Sequence, residues 1–390
     1  MECTVRKILS EHFDEFVGTH GVPLHVQRAA RLLSICRTAQ LGGHLQACPH
    51  GHTERIVYHS CRHRLCPQCN ALPTERWLEK MRARLIACAH HHLIFTVPHE
   101  LHGLWRYNRA WMMQALFAAV GETLHTLCGD DRYLGAEPGF ILALHTWGRS
   151  LSLHPHIHAL VSDGGLTAQG QWQSSQRSCF LPARVVMALF RGKFLAAVTR
   201  ALTGDALILP PETSAQRLRN LINRLGRVKW NVHLCRRYAH GAGVMTYLAR
   251  YVRGGPLKNS QLLPTDPDTV GFRYRAHADT AEGTDRNART LTLSPAQFLA
   301  RYLQHTPVPH KPIVRHYGLY APRKAEALKR ARGVHQQPPL VEPAPLSAQA
   351  YYLRRAGGAT AATHCATCGA ALIARAPLPR SQAPPCRALR

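Results

Sequence analysis

The sequence predicts an α+β chain in which strands and helices interleave behind a small, Cys/His-rich helical module. Two observations carry this prediction. Apolar runs of strand length, FILALHTW (140–147) and HIHALVS (156–162), stand among long stretches of helical apolar spacing. Near the N-terminus, CPHGHTERIVYHSCRHRLCPQC (48–69) packs four cysteines into 22 residues, a density that suits a metal-folded module.

Taken in order, residues 1 to about 40 show helical spacing through Ile8, Leu9, Phe13, Phe16, Val26, Ala29, Ala30, Leu32 and Leu33. After Pro73, the charged run TERWLEKMRARLIACA reads as a helix that completes the module, giving a first domain over 1–90. LIFTV (93–97), closed by Pro98, reads as a strand, and residues 104–128 as one long amphipathic helix. The runs 140–147 and 156–162 can pair antiparallel, the second ending in a turn at Asp163-Gly164-Gly165. Residues 183–202 and 213–225 read as helices, VKWNVHL (228–234) as a strand, and GVMTYLARYV (243–252) as a helix stopped by Gly254, Gly255 and Pro256. A second domain therefore spans 91–320, with its core over 91–255. From 321 to 390, Ala, Pro and Arg dominate, which predicts a loosely ordered basic tail.

Composition narrows the function. Across 390 residues, 49 Lys+Arg against 22 Asp+Glu leave a formal charge of +27, a balance that suits a polyanion and above all the phosphates of nucleic acid. With 45% hydrophobic residues the chain can bury a core, which excludes wholesale disorder. The most apolar stretches fall short of the ~18 residues that a bilayer span requires. The acidic N-terminal run MECTVRKILSEHFDEF lacks a secretory pattern, so the expected location is the cytoplasm. There, the 13 cysteines would be reduced and available to metal.

In the cysteine block, Cys66 and Cys69 form a Cys-x2-Cys knuckle that presents two thiolates to one tetrahedral ion, and Cys48 and Cys61 can complete it. His52 is the strongest rival, and His50, His59 and His63 compete as well. A closed site without an acid is structural, so the expected ion is zinc holding a small DNA-contacting module. Cys365-x2-Cys368 is half of a second such motif, with His364 and Cys386 as candidate completions.

In LHPHIHALV, His156 and His158 share one face of a strand, because side chains alternate with period two. A divalent cation would satisfy both imidazoles. Tyr247 and Tyr251 are spaced i, i+4 and share a helix face. A cation that polarises a phosphodiester and a phenol that attacks it are complementary parts of one reaction. Arg250, Arg253, Arg227 and Lys229 can follow a DNA backbone, and Trp147 or Trp230 can stack bases.

Together these segments resemble the two-tyrosine rolling-circle transposases of the insertion-sequence-91 type, within the His-hydrophobic-His endonuclease superfamily. SCRHRLCPQCN looks like that family's zinc-binding domain, LHTWGRSLSLHPHIHALVSDGGL (144–166) like its metal motif, and YLARYV (247–252) like its tyrosine motif. LSPAQFLARYLQH (293–305) and VRHYGLYA (314–321) are similar to two later family segments. The resemblance implies an antiparallel sheet flanked by helices. It also implies metal-dependent cleavage and transfer of single-stranded DNA at transposon ends and target. Tyr247 or Tyr251 would form a 5′-phosphotyrosine, with His156 and His158 on Mg²⁺ or Mn²⁺. His154 and His145 are both candidates for a third ligand.

Two departures stand out. Gly51 occupies the place of a family cysteine, leaving Cys61 or His52 to complete the zinc site. TPVPHKPI (306–313) replaces a Gly-containing stretch and has no functional reading from sequence. The rivals are a plasmid replication initiator or relaxase with the same nicking chemistry, a non-enzymatic zinc-dependent regulator, and a transposase built on a carboxylate cluster.

Overall fold

The computed structural model describes residues 4–175, 180–239, 255–264, 266, 268–275, 288–357 and 362–381. The chain opens with α1 (Val5–Thr19) and α2 (Leu24–Ser34). Thr4 caps α1 by accepting a hydrogen bond from the Lys7 amide, and Val5, Ile8, Leu9, Phe13 and Phe16 line its buried face at helical spacing. A hairpin of β1 (Gly43–Ala47) and β2 (Glu54–Tyr58) follows, then α3 (Ala71–Arg84).

The next part of the chain runs through β3 (His90–Thr96), α4 (His102–Tyr107), α5 (Arg109–Cys128), β4 (Glu137–Trp147), β5 (Leu153–Leu166) and β6 (Trp172–Ser174). It continues with α6 (Ala183–Thr203), α7 (Ala215–Leu225) and β7 (Val232–Tyr238). The helix expected over 104–128 is broken at Asn108, whose side chain bonds the backbone of Leu104 and Ile208 instead of continuing the helix. Beyond these come β8 (Leu262–Leu263), β9 (Val270–Arg275), β10 (Ala288–Leu293), α8 (Pro295–Leu303) and β11 (Val314–Gly318). The described chain closes with α9 (Ala325–Val334), α10 (Ala348–Ala356) and β12 (Ile373–Leu378).

The central sheet has the order β11-β4-β5-β3-β7, with β6 on β5, and its pairs are antiparallel. Period-two alternation gives it two different faces. Leu93, Phe95, Phe140, Leu142, Ile157, Ala159 and Val161 pack with residues of α5 and α6 in the largest core. On the opposite face, Ile141, Ala143 and Leu160 meet Trp77, Leu78 and Met81 of α3 and Leu328 and Ala331 of α9. An α+β fold with an antiparallel sheet flanked by helices is what the sequence predicted.

Three details differ from the expectation. Asp163-Gly164-Gly165 is not a turn but the end of β5. Gly165 is needed there because a Cβ would sit 2.4 Å from the Glu137 carbonyl oxygen of β4. Leu257, Phe272, Phe298 and Tyr302, expected in the second domain, share a core with residues of α1 and α2. Much of the expected loose tail is ordered by long-range contacts, since α9 packs on the sheet and β12 pairs with β1.

Candidate functional site

The period-two face that buries Ile141 and Ala143 turns from apolar to imidazole at one end of the sheet. His156 lies opposite His145 in the β4–β5 register, and His158 follows on the same face of β5. The ligand nitrogens of His145, His156 and His158 all lie within 4.8 Å of one another. His156 Nε2 and His158 Nε2 are 3.1 Å apart. His154 stays outside this group, although its ring centroid is 5.0 Å from that of His156.

A backbone carbonyl sets the His156 tautomer. His156 Nδ1 is 2.6 Å from the His154 carbonyl oxygen, which can only accept, so Nδ1 carries the proton and Nε2 keeps its lone pair. His158 Nδ1 is 2.8 Å from His92 Nε2 on β3. In the tautomer in which His158 Nδ1 donates to His92, the lone pair of His158 sits on Nε2, the nitrogen turned towards His156, and an outer partner of this kind is the usual way to orient a ligand histidine. Burial pushes His156 down to about 4. Burial, with neighbouring imidazoles adding to it, holds His145 and His158 well below the ordinary histidine range. All three are therefore neutral and ligand-competent near pH 7. Trp147, expected as a base-stacking platform, stacks on His145 with centroids 5.1 Å apart.

Three nitrogens and no carboxylate form this group among the described residues. Such a donor set suits Mn²⁺ at least as well as the smaller, harder Mg²⁺, and three protein ligands leave positions for substrate oxygens. Asp163, the acid nearest in sequence, is committed elsewhere. Its oxygens lie 2.8 Å from His91 Nε2 and 2.7 Å from Arg237 Nε, and although burial works against ionisation, these bonds hold its carboxyl below the usual range. Among the described residues, that commitment leaves the carboxylate-cluster reading without a centre.

The cysteines divide differently from the expected set. Cys61, Cys66 and Cys69 gather with Cys36, and all four are buried. The Cys61–Cys69 and Cys36–Cys66 sulfur pairs are each 3.5 Å apart. Zinc at ~2.3 Å from four tetrahedral sulfurs requires edges of roughly 3.8 Å, so the cage fits the ion. The correction concerns Cys48 and His52, which lie with Cys365 and Cys368 in a separate group. Sequence reasoning missed Cys36, an isolated cysteine at the end of α2 with no motif spacing to mark it. His364 takes no part in either group, and its Nδ1 is 2.8 Å from the Thr363 hydroxyl. Cys386 lies outside the described residues.

A basic cleft of about 570 Å³ is lined both by the cysteine module and by β11 of the sheet. Arg62, His63 and Arg64, from the loop between Cys61 and Cys66, line it together with His310 and Lys311. No Asp or Glu is among the described residues that line it. The replaced stretch 306–313 thus supplies one wall. Arg64 also borders a second, adjoining cavity with Trp147, His305 and Gly255, and its charge reaches His145.

Tyr247, Tyr251, Arg250 and Arg253 lie outside the described residues. The flanks of that segment are described. On one side β7 pairs with β3, the neighbour of the histidine strand. On the other, Gly255 approaches the Leu65 carbonyl so closely that a Cβ would meet it at 2.8 Å. Lys229 and Arg227 are exposed. Trp230 packs in the core against Phe190 and Phe194 and donates to the Leu225 carbonyl, so it is no stacking platform. Among the described residues, no helix is long and apolar enough to cross a membrane.

Comparison with known proteins gives two family matches: residues 8–97 to a model described as "Transposase zinc-binding domain", and residues 139–327 to one described as "Putative transposase". "Putative transposase y4qJ" of Sinorhizobium fredii is 36% identical over 305 residues, covering 77% of this chain and 75% of that protein. The transposase for insertion sequence element IS801 of Pseudomonas savastanoi pv. phaseolicola is 32% identical over 323 residues, covering 79% and 75%. Among solved structures, the conjugative relaxase TrwC in complex with oriT DNA, metal-bound, is similar at 13% identity and a TM-score of 0.23, over 42% of this chain and 71% of that one.

Proposed function

Because this chain belongs to the insertion-sequence-91 family of transposases, we propose that it moves its element by cutting and rejoining single-stranded DNA, with Tyr247 or Tyr251 as nucleophile. The observation that carries this reading is the gathering of His145, His156 and His158 at one end of the sheet, within reach of the charge of Arg64, which also lines the cleft that Arg62 and Lys311 share. Arg62, Arg64 and Lys311 would hold the backbone of the strand by neutralising its phosphates. Arg250, Arg253 and Lys229 are proposed to extend that track. His145, His156 and His158 would hold Mn²⁺ or Mg²⁺, and such an ion supplies Lewis-acid stabilisation of the charge that develops on the scissile phosphate. His92 keeps His158 Nε2 directed at the site.

The phenolic oxygen attacks phosphorus, an oxygen–phosphorus bond forms to tyrosine, and the bond to the 3′-oxygen breaks. The proton that the phenol loses is matched by the one that the free 3′-hydroxyl gains. One phosphodiester replaces another, so the link is conserved without an external energy source. The second tyrosine can then take a second strand while the first remains occupied. The reading is supported by the two described flanks of the tyrosine segment: β7 pairs with β3, the neighbour of the histidine strand, and Gly255 lines one cavity with Arg64 and Trp147.

The test is incubation of the full chain with end-labelled single-stranded DNA from the element ends and Mn²⁺, followed by denaturing electrophoresis. A DNA–protein adduct is expected, mapping to Tyr247 or Tyr251 and absent from the Tyr247→Phe/Tyr251→Phe double variant. An adduct undiminished in the double variant overturns the assignment.

A further inference from the structure

Cys48 and Cys368 are 320 residues apart in sequence, yet their sulfurs are 3.5 Å apart. With Cys365 and His52 they place three sulfurs and one imidazole nitrogen all within 4.8 Å of one another. Two backbone turns build the group. After β1, the Cys48 amide donates to the Thr53 carbonyl and the Gly51 amide to the Cys48 carbonyl, which folds His52 back over Cys48. Cys48 Sγ and His52 Nδ1 are 3.7 Å apart. Before β12, the Cys365 amide donates to the Ala370 carbonyl and the Gly369 amide to the Cys365 carbonyl. Gly369 takes φ +72°, the left-handed step that closes such a tight turn. The antiparallel pairing Ala47↔Ile373 and Gln46↔Ala374 brings the two turns together.

Apolar burial accounts poorly for this arrangement. The local core consists of Cys48, Cys365 and Leu372 with Ala370 packed on them, and most of β12 is exposed. A pairing with so small a core cannot offset the entropy of fixing a chain end, and small modules of this kind are held by a metal or a disulfide. Three sulfurs and an imidazole, the set of a closed zinc site, answer that need.

We propose that Cys48, His52, Cys365 and Cys368 bind a second structural zinc ion, which clasps the C-terminal segment onto β1 and makes the N-terminal module a joint product of both chain ends. His50, whose Nδ1 is 3.4 Å from Cys368 Sγ, is the neighbouring imidazole that can replace His52. This site stands independently of the tyrosine chemistry. It is separate from the Cys36 cage, which shares no residue with it.

The test compares the zinc content of the full chain, purified without chelator, with that of Cys365→Ser/Cys368→Ser and, separately, Cys48→Ser. Each variant should hold one zinc equivalent less than the parent. X-ray absorption at the zinc edge should lose its mixed sulfur–nitrogen component in the double variant. Trypsin should cut the variants faster at Arg375 and Arg380, because β12 is no longer fastened. Both serine variants alter a site outside the main cores, so their principal thermal transition reports whether the rest of the chain is folded. Unchanged zinc content in folded variants overturns the proposal, as does a thiol count showing Cys48 disulfide-bonded to Cys365 or Cys368 in the purified parent.

Discussion

The Cys36 cage and the histidine cluster lie in neighbouring parts of one molecule and differ in every property that decides what a metal site does. The cage offers four buried sulfurs at tetrahedral spacing inside a core shared by α1, α2 and α8. The cluster offers three imidazoles on one end of a sheet, near a cavity that Arg64 borders. A full soft donor set leaves nothing for a substrate and contributes its binding energy to folding. A partial nitrogen set leaves positions open and contributes to reaction. Donor count and surroundings therefore separate structure from chemistry more clearly than the presence of ligand residues does.

The largest contrast should come from removing one ligand on each side. Cys66→Ser strips the cage of a thiolate, and structural zinc is worth ~10 kcal/mol or more in small zinc modules. The cooperative unfolding of the N-terminal module should disappear from calorimetry, and a retained transition would place the cage among dispensable features. His156→Ala should leave that transition in place while strand cleavage falls by about 10³-fold, the size of several kcal/mol of lost Lewis-acid stabilisation. Wild-type cleavage in this variant would sever the cluster from catalysis.

A finer distinction comes from His92, which touches His158 and lies outside the three-imidazole group. His92→Ala should weaken Mn²⁺ binding by roughly 10–100-fold, as loss of an outer partner does, with cleavage restored at saturating Mn²⁺. Failure of rescue would mean that His92 acts directly.

The smallest effect is on stability. Burial holds His90 and His305 at about 4, against ~6.5 in an unfolded chain. The unfolded state binds more protons between these values, so the stability that both contribute is complete above pH 6.5 and is lost progressively towards pH 4. The urea midpoint should fall between pH 7.5 and pH 5, and equal midpoints would contradict the burial argument.

What could be read from sequence follows the range of the interaction concerned. His156 and His158 are legible because period two is local. The choice of His145 over His154 is not, since it depends on the β4–β5 register that sets His145 opposite His156. The Cys66–Cys69 knuckle is legible for the same reason, whereas Cys36 and the diversion of Cys48 depend on distant packing and on the β1–β12 pairing. Asp163-Gly164-Gly165 reads as a turn because Gly has two uses, and here the close approach of β4 is the one that applies. The 321–390 segment looks loose because much of its order comes from surfaces that other segments provide.

The central claim is that one cation is held by His145, His156 and His158 within reach of the DNA. Anomalous diffraction at the manganese edge, from crystals of the full chain with Mn²⁺ and single-stranded end DNA, tests it most directly. The account predicts a peak bonded to nitrogens of all three imidazoles and to a phosphate oxygen. A peak on Asp163, or none at the histidines, would contradict it.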